Sequence, residues 1–484
     1  MKFIQMMDQP VEPGGLVEWV PSSAGGFAEW ITDPRPTSHN HEMHLRSALE
    51  YRWRTRREGG RESWLGLAIE FDEPMSVPAI RSALTGWIDR HEVLRSHVIV
   101  KHSGLQRLST PPGTVHLKMA RIGWYSEAAP LLDQLAGAFD RATAPIQWPA
   151  YLFATVARER SFTLLFAGDH SLLDGYSLIL GQYELVELYR AARARIDPAL
   201  PPTGSYVDFS AQERLRADAA DTDHPAVQSW REFLSNNDYR LPTFSLSDDS
   251  PTVPTPMTPM PSVPAQTDPD GPAQSSVNMA LLDDADADRF TVTCTEAGGN
   301  LFAGVLAALA LTYHELGGGE FCCLTTRHTR REAVWLGALG WFVGNAPVTI
   351  AVSDNDSFPD LVLRATGEMR RTKVAADLPV LRVAEVLGAY SDPKFVVSFI
   401  DARTTPNAAD ADAGGARVLR SHSYSDDEVF IWVNRVSSGL RLSARFPAQG
   451  GLHTQVADFL PAFAQTLRRI LDQRPPQPIN RSVG

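Results

Sequence analysis

The residues best placed to do chemistry are Asp169-His170-Ser171-Leu172-Leu173-Asp174-Gly175, a histidine between two carboxylates with a glycine behind it. An imidazole titrates near neutrality, so a positioned His170 could act as the general base that deprotonates an alcohol, an amine or a thiol. Asp174, four residues on, could orient that ring, or it could turn away and pair with an arginine to hold the loop shape. The spacing leaves both open. Gly175 removes a side chain where a substrate arm would need to pass close to the backbone.

The flanking residues say what must position this turn. Residues 162–167 form an apolar run with the length and composition of a buried strand. Tyr176, Ile179, Leu180, Tyr183 and Val186 recur at helical spacing and predict an amphipathic helix. A histidine where a strand ends and a helix begins sits where function is usually found.

The chain has 484 residues, 43% of them hydrophobic, enough for a large core and more than one ordinary domain needs. Two domains, or two lobes of one unit, are expected. A net charge of −12 argues against a nucleic-acid footprint, which needs clustered basic charge. The basic residues between Arg52 and Arg61 read as a solvated helix end, although an acidic carrier protein or a nucleotide phosphate could use them. Cys294, Cys322 and Cys323 are neither a disulfide framework nor a zinc spacing, and read as buried apolar side chains in a reducing compartment. The N-terminus lacks the apolar core of a signal peptide. The longest apolar stretch, residues 301–311, is shorter than the roughly 18 residues of a membrane span. A soluble, cytoplasmic protein without a membrane span is expected.

Residues 1–40, rich in Pro, Gly and Ser, suggest an extended surface arm. Strands are expected over 64–71, 114–122 and 150–157, with helices over 77–90 and 128–139, and further helices over 206–216 and 227–234. Residues 241–275 carry so many prolines that neither a helix nor a central strand can form there. They are expected to be a linker or crossover between an N-terminal lobe (1–240) that carries the histidine turn and a C-terminal lobe (276–484). The second half repeats the style, with strands over 276–281, 321–326, 346–352 and 395–400 and a hairpin over 428–446. Its helices are expected over 285–297, 301–316, 357–375 and 456–473. The mixture suggests an α/β sandwich of open sheets.

Other chemistries fit poorly. There is no G-x-S-x-G elbow, phosphate loop or dinucleotide fingerprint. There is no H-E-x-x-H or C-x-x-C spacing, and His170 with Asp169 and Asp174 lacks a second histidine for a metal. The remaining histidines, including His91, His97, His314 and His328, read as satisfied core or surface residues.

The residues 170–175 resemble the HxxxDG motif of the chloramphenicol acetyltransferase-like superfamily, which includes the condensation domains of nonribosomal peptide synthetases. Arg90-His91-Glu92-Val93-Leu94-Arg95-Ser96 resembles the RHExLR(T/S) segment of those domains. Tyr206-Val207-Asp208-Phe209 and Gly340-Trp341-Phe342-Val343-Gly344-Asn345-Ala346-Pro347 resemble two further stretches. The order and spacing agree from about residue 64 to 469, and the likeness extends to the stand-alone polyketide-associated (Pap) acyltransferases.

The resemblance implies two chloramphenicol acetyltransferase-like lobes forming a V with a central channel. It implies an enzyme without a cofactor that moves an acyl group from a CoA or carrier-protein thioester to an alcohol or amine. His170 would be the base, Gly175 part of the motif, and Asp174 a structural residue paired with an arginine of the second half. Arg330 is the expected partner and Arg331 the reserve. Asp169 stands where condensation domains usually carry a first histidine, which disfavours peptide formation, and its charge could raise the His170 pKa. A monomer is expected, since the lobes can pair within one chain. The competing expectation is a non-catalytic condensation-like domain that recruits a carrier protein or partner enzyme.

Overall fold

The computed structural model describes residues 2–8, 11–55, 63–102, 104–246, 258–259, 272–390 and 392–473. Most of the proline-rich segment 241–275 and the basic residues 56–61 lie outside them.

Two mixed sheets carry the structure. The first runs Lys2–Gln5, Arg417–Arg420, Trp64–Phe71, Phe162–Asp169, Tyr151–Ala157, Gly15–Ser23 and Val115–Trp124. Its centre is the motif strand Phe162–Asp169, buried along its whole length and antiparallel to both neighbours. Both faces are covered, which is why this strand reads as an unbroken apolar run rather than an alternation. Leu164 and Phe166 face the helices Val77–Arg90 and Gly175–Ala194, where Trp87, Leu178 and Leu185 meet them. Leu165 and Ala167 face Leu131, Leu135 and Phe139 of the helix Ala128–Ala142. Each such Leu or Phe contributes about 1.5–3 kcal/mol by burial.

The second sheet runs Gln274–Asp283, Gly439–Pro447, Val429–Val436, Phe395–Asp401, Phe321–His328 and Val343–Ile350. The helices Asp284–Glu296, Leu301–Glu315, Phe358–Arg371 and Gly451–Asp472 supply the rest of its apolar core. Among the described residues no single helix is long and apolar enough to cross a membrane. The apolar helix Leu301–Glu315 is the buried centre of this core.

Two findings depart from the sequence reading. Residues 1–40 are not a surface arm: Gly15–Ser23 lies between two strands of the first sheet. Trp19 within it is fully buried, and its indole Nε1 donates to Thr155 Oγ1 at 3.0 Å. Its mixture of proline, serine and glutamate hid it, because tertiary packing rather than local propensity makes it a strand. The second departure is Arg417–Arg420, which leaves the second half to pair parallel with Lys2–Gln5 and antiparallel with Trp64–Phe71. The proline-rich segment therefore separates the two sheets everywhere except at this strand.

The recognition segments are joints. Arg90, His91 and Trp87 all donate to Glu184 on the helix Gly175–Ala194, at 2.8, 2.6 and 2.9 Å. The buried guanidinium of Arg95 donates to the main-chain oxygens of Ile88 and Asp89, at 3.1 and 3.2 Å. Tyr206 and Phe209 of the helix Tyr206–Asp218 pack on Phe342, with centroids 5.0 and 4.5 Å away. Gly340 must be glycine, because a Cβ there would stand 2.3 Å from the Tyr206 ring.

Gly340→Ala is expected to cost about 1–3 kcal/mol by overpacking. Gly367→Ala, in the helix Phe358–Arg371 with nothing within 4 Å of its new Cβ, should instead gain about 0.5–1 kcal/mol. Denaturant unfolding of the two variants checks both signs, and equal effects would remove the Tyr206 contact as the reason for Gly340.

Candidate active site

The motif turn forms because each carboxylate caps the helical segment that begins just after it. The Asp169 side chain accepts from Ser171 N at 2.9 Å and starts the 3-10 turn His170–Leu172. The Asp174 side chain accepts from Ser177 N at 2.7 Å and starts the helix Gly175–Ala194. Such N-caps satisfy helical N–H groups that would otherwise be orphaned.

Asp174 does not touch His170 as an orienting partner. Arg330 Nη2 donates to both its oxygens, at 3.0 and 3.2 Å, and Phe342 N donates to Oδ2 at 3.0 Å. Of the two arginines considered, Arg330 is therefore the partner, and Arg331 instead meets Asp377 near the surface. Arg330 also donates to Ser177 Oγ at 2.7 Å, to Trp335 O at 3.2 Å and to Ala338 O, and its guanidinium lies 4.0 Å from the Phe342 ring. Ser177 Oγ completes the network by donating to Gly340 O at 2.8 Å. Burial pushes the Asp174 carboxyl up, but Arg330 and the Ser177 N–H outweigh it and hold the group below the usual carboxylate range.

His170 is half-buried where the two halves meet. Its ring centroid lies 4.5 Å from that of Trp341, which belongs to the second half. Its Nδ1 is buried without a hydrogen-bond partner among the described residues. Burial is the main cause that lowers the His170 pKa from 6.5, and His44 lowers it further. Asp169 and Asp174 pull the other way without reversing the result. The charge of Asp169 does raise this pKa, as expected, but desolvation of the cation outweighs it and the net shift is downward. The carboxyl of Asp169 is itself engaged, accepting from His44 Nε2 at 2.9 Å.

Gly175 sits close against the second half. The position a Cβ would take lies 3.2 Å from Ile400 Cδ1 and 3.8 Å from Phe3. The missing side chain lets Ile400 of the second sheet approach the start of the motif helix.

Two contributors escaped the sequence reading. His44 lies on the helix His39–Thr55, far from the motif in sequence and among other histidines. Trp341 lies inside a recognised segment, but nothing in its spacing shows that it meets His170. Among the described residues no His, Cys, Asp and Glu cluster suits a metal ion.

The Asp174–Arg330 pair is the part of the site most readily tested by unfolding. Asp174→Ala and Arg330→Ala should each cost about 3–5 kcal/mol, because each strands a buried charge. The double variant should cost clearly less than their sum. Additive losses would show that the two side chains do not depend on each other.

A condensation-domain family model matches residues 58–399. Acyltransferase PapA3 of Mycobacterium tuberculosis is 25% identical, over 96% of this chain and 97% of that protein. Trehalose-2-sulfate acyltransferase PapA2 of Mycobacterium bovis is likewise 25% identical over 96% and 97%. Among solved structures, the PapA2 acyl transferase superposes with a TM-score of 0.83 at 23% identity, covering 98% of this chain and 100% of that one. The first condensation domain of the calcium-dependent antibiotic synthetase superposes with a TM-score of 0.65 at 16% identity, covering 90% and 97%. With the family model spanning most of its length and named acyltransferases matching nearly end to end, the chain belongs to the condensation-domain family and is an acyltransferase.

Proposed function

We propose that the enzyme moves an acyl group from a thioester, on CoA or a carrier protein, directly to a hydroxyl group, with His170 as general base. One observation carries this reading. At the junction of the halves stands an imidazole whose pKa burial has lowered, beside an aspartate already committed to an arginine. An imidazole with that tendency is unprotonated at neutral pH and ready to accept a proton. The buried nitrogen is Nδ1, which leaves Nε2 for the acceptor.

In this mechanism Nε2 takes the acceptor proton while the acceptor oxygen bonds to the thioester carbonyl carbon. The tetrahedral adduct collapses, the C–S bond breaks, and the imidazolium returns its proton to the departing thiolate. Atoms balance with an ester and a free thiol as products, and no acyl group rests on the protein. Rate comes from holding donor and acceptor against each other and from the base. The channel implied by the family resemblance is where the two substrates would meet. A hydroxyl acceptor is preferred to an amine because PapA2 and PapA1 are named for acyl transfer to sulfated trehaloses.

The reading is tested by acceptor-dependent thiol release from acyl-CoA and acyl-carrier-protein panels with sugar, long-chain alcohol and amine acceptors. His170→Ala should lose at least about a hundredfold in turnover, the low end for removing a general base. Since the neutral ring is the active form, kcat/KM should stay level through neutrality and fall only on acidification, with its midpoint below the ordinary 6.5. Undiminished turnover in His170→Ala, or a midpoint above that value, would overturn the assignment.

A further inference from the structure

We propose that His44 is a positioning residue for acyl transfer: held on Asp169 and set edge-on against Trp341, it fixes the orientation of the His170 ring. This rests on the reading of His170 as the base and adds to it a group outside the motif.

Three rings from three separate elements interlock. His44 comes from the helix His39–Thr55, His170 from the turn after the motif strand, and Trp341 from the second half. Trp341 meets both imidazoles, its centroid 4.5 Å from His170 and 6.1 Å from His44, where the rings are near perpendicular at 87°. Asp169 links the two imidazoles, one through its carboxylate and the other through the chain. Asp169 directly precedes His170 in the chain, and its Oδ2 accepts from His44 Nε2 at 2.9 Å while Oδ1 accepts from Ser171 N at 2.9 Å. Asp169 is fully buried, so each of its oxygens needs a donor, and His44 supplies one of them.

The helix that brings His44 is firmly held. Glu42 accepts from Arg214 at 2.6 Å, and His39 Nε2 meets Asp218 at 2.8 Å, both partners lying on the helix Tyr206–Asp218. Leu45 beside His44 is fully buried. His44 is therefore presented from a rigid element, the condition under which a supporting group can keep a reacting ring within its narrow productive range.

The same contacts couple the two imidazoles electrostatically. The charged groups that act on His170 are His44, Asp169 and Asp174, with Arg330 behind Asp174. Asp169 and His44 in turn both act on the buried His41. A positive His44 disfavours a positive His170, so removing the charge at position 44 should make His170 easier to protonate. That shift separates a positioning residue from one that only stabilises the fold.

The experiment compares wild type, His44→Ala, His44→Gln and His170→Ala by thiol release, with kcat and KM for donor and acceptor, pH profiles and melting curves. Losing the ring should lower kcat about tenfold or more with each KM within about twofold, since misplacement of the base acts on the chemical step. Glutamine keeps a donor for Asp169 and should recover part of that loss. Both His44 variants should move the acid limb of kcat/KM to higher pH. If His44→Ala proves too unstable to assay, the acid limb of His44→Gln decides. Wild-type kcat and an unmoved acid limb in the His44 variants, with His170→Ala inactive, would overturn the role of His44 and leave the base intact. Full activity in His170→Ala would instead overturn the base, and the positioning role with it.

Discussion

The site depends on Asp174 being a buried, fully bonded carboxylate. It caps the motif helix, receives two contacts from Arg330 and takes the Phe342 main-chain N–H. Residues 174 and 177 come from the first half of the chain, 330 and 342 from the second. A charge buried this deeply is costly unless its partner and its remaining lone pairs are met. Here they are, and the interaction pins the loop that carries Trp341 against the turn that carries His170. It is one of the ties that fix the base relative to the opposite wall.

The two motif carboxylates divide the work. Asp174 faces the second half and holds its arginine; Asp169 faces the helix His39–Thr55 and holds a histidine. Neither bonds to the His170 ring, so this is not a relay in which a carboxylate orients the base. The ring is set by main-chain geometry at the strand end and by packing on Trp341. Burial then lowers its pKa by disfavouring the cation. A lowered pKa in a base that must be neutral at working pH is a consequence of placing it where the two halves close.

A second buried carboxylate, Glu184, repeats the device further along the motif helix. More than two turns beyond Asp174 it gathers Arg90, His91 and Trp87, and His91 Nδ1 accepts in turn from Leu339 N at 3.4 Å. The motif helix is thus anchored at its start to Arg330 and in its middle to the Arg90-His91 pair, and both anchors reach the loop 339–342. That loop is held also by Tyr206 and Phe209 beneath Phe342. The segments that identify the family are the joints of a single scaffold around the turn.

Sequence alone determined the motif strand, the turn and the helix after it, because a run of apolar residues, a strong breaker and a helical period are local signals. It also determined the family, because the order of several short segments is a property of the chain, and with the family the expectation that Asp174 meets an arginine of the second half. It could not determine that Gly15–Ser23 is an interior strand or that Arg417–Arg420 returns to the first sheet, since both are made strands by partners distant in the chain. Nor could it show which of two opposing effects on His170 would prevail. Asp169 beside His170 suggested a raised pKa, yet burial of the ring, a property of the closed tertiary structure, outweighs a neighbouring carboxylate already bonded to His44. The identities of His44 and Trp341 as neighbours of the base were decided only when three elements met, because contact between side chains far apart in sequence leaves no periodicity to read.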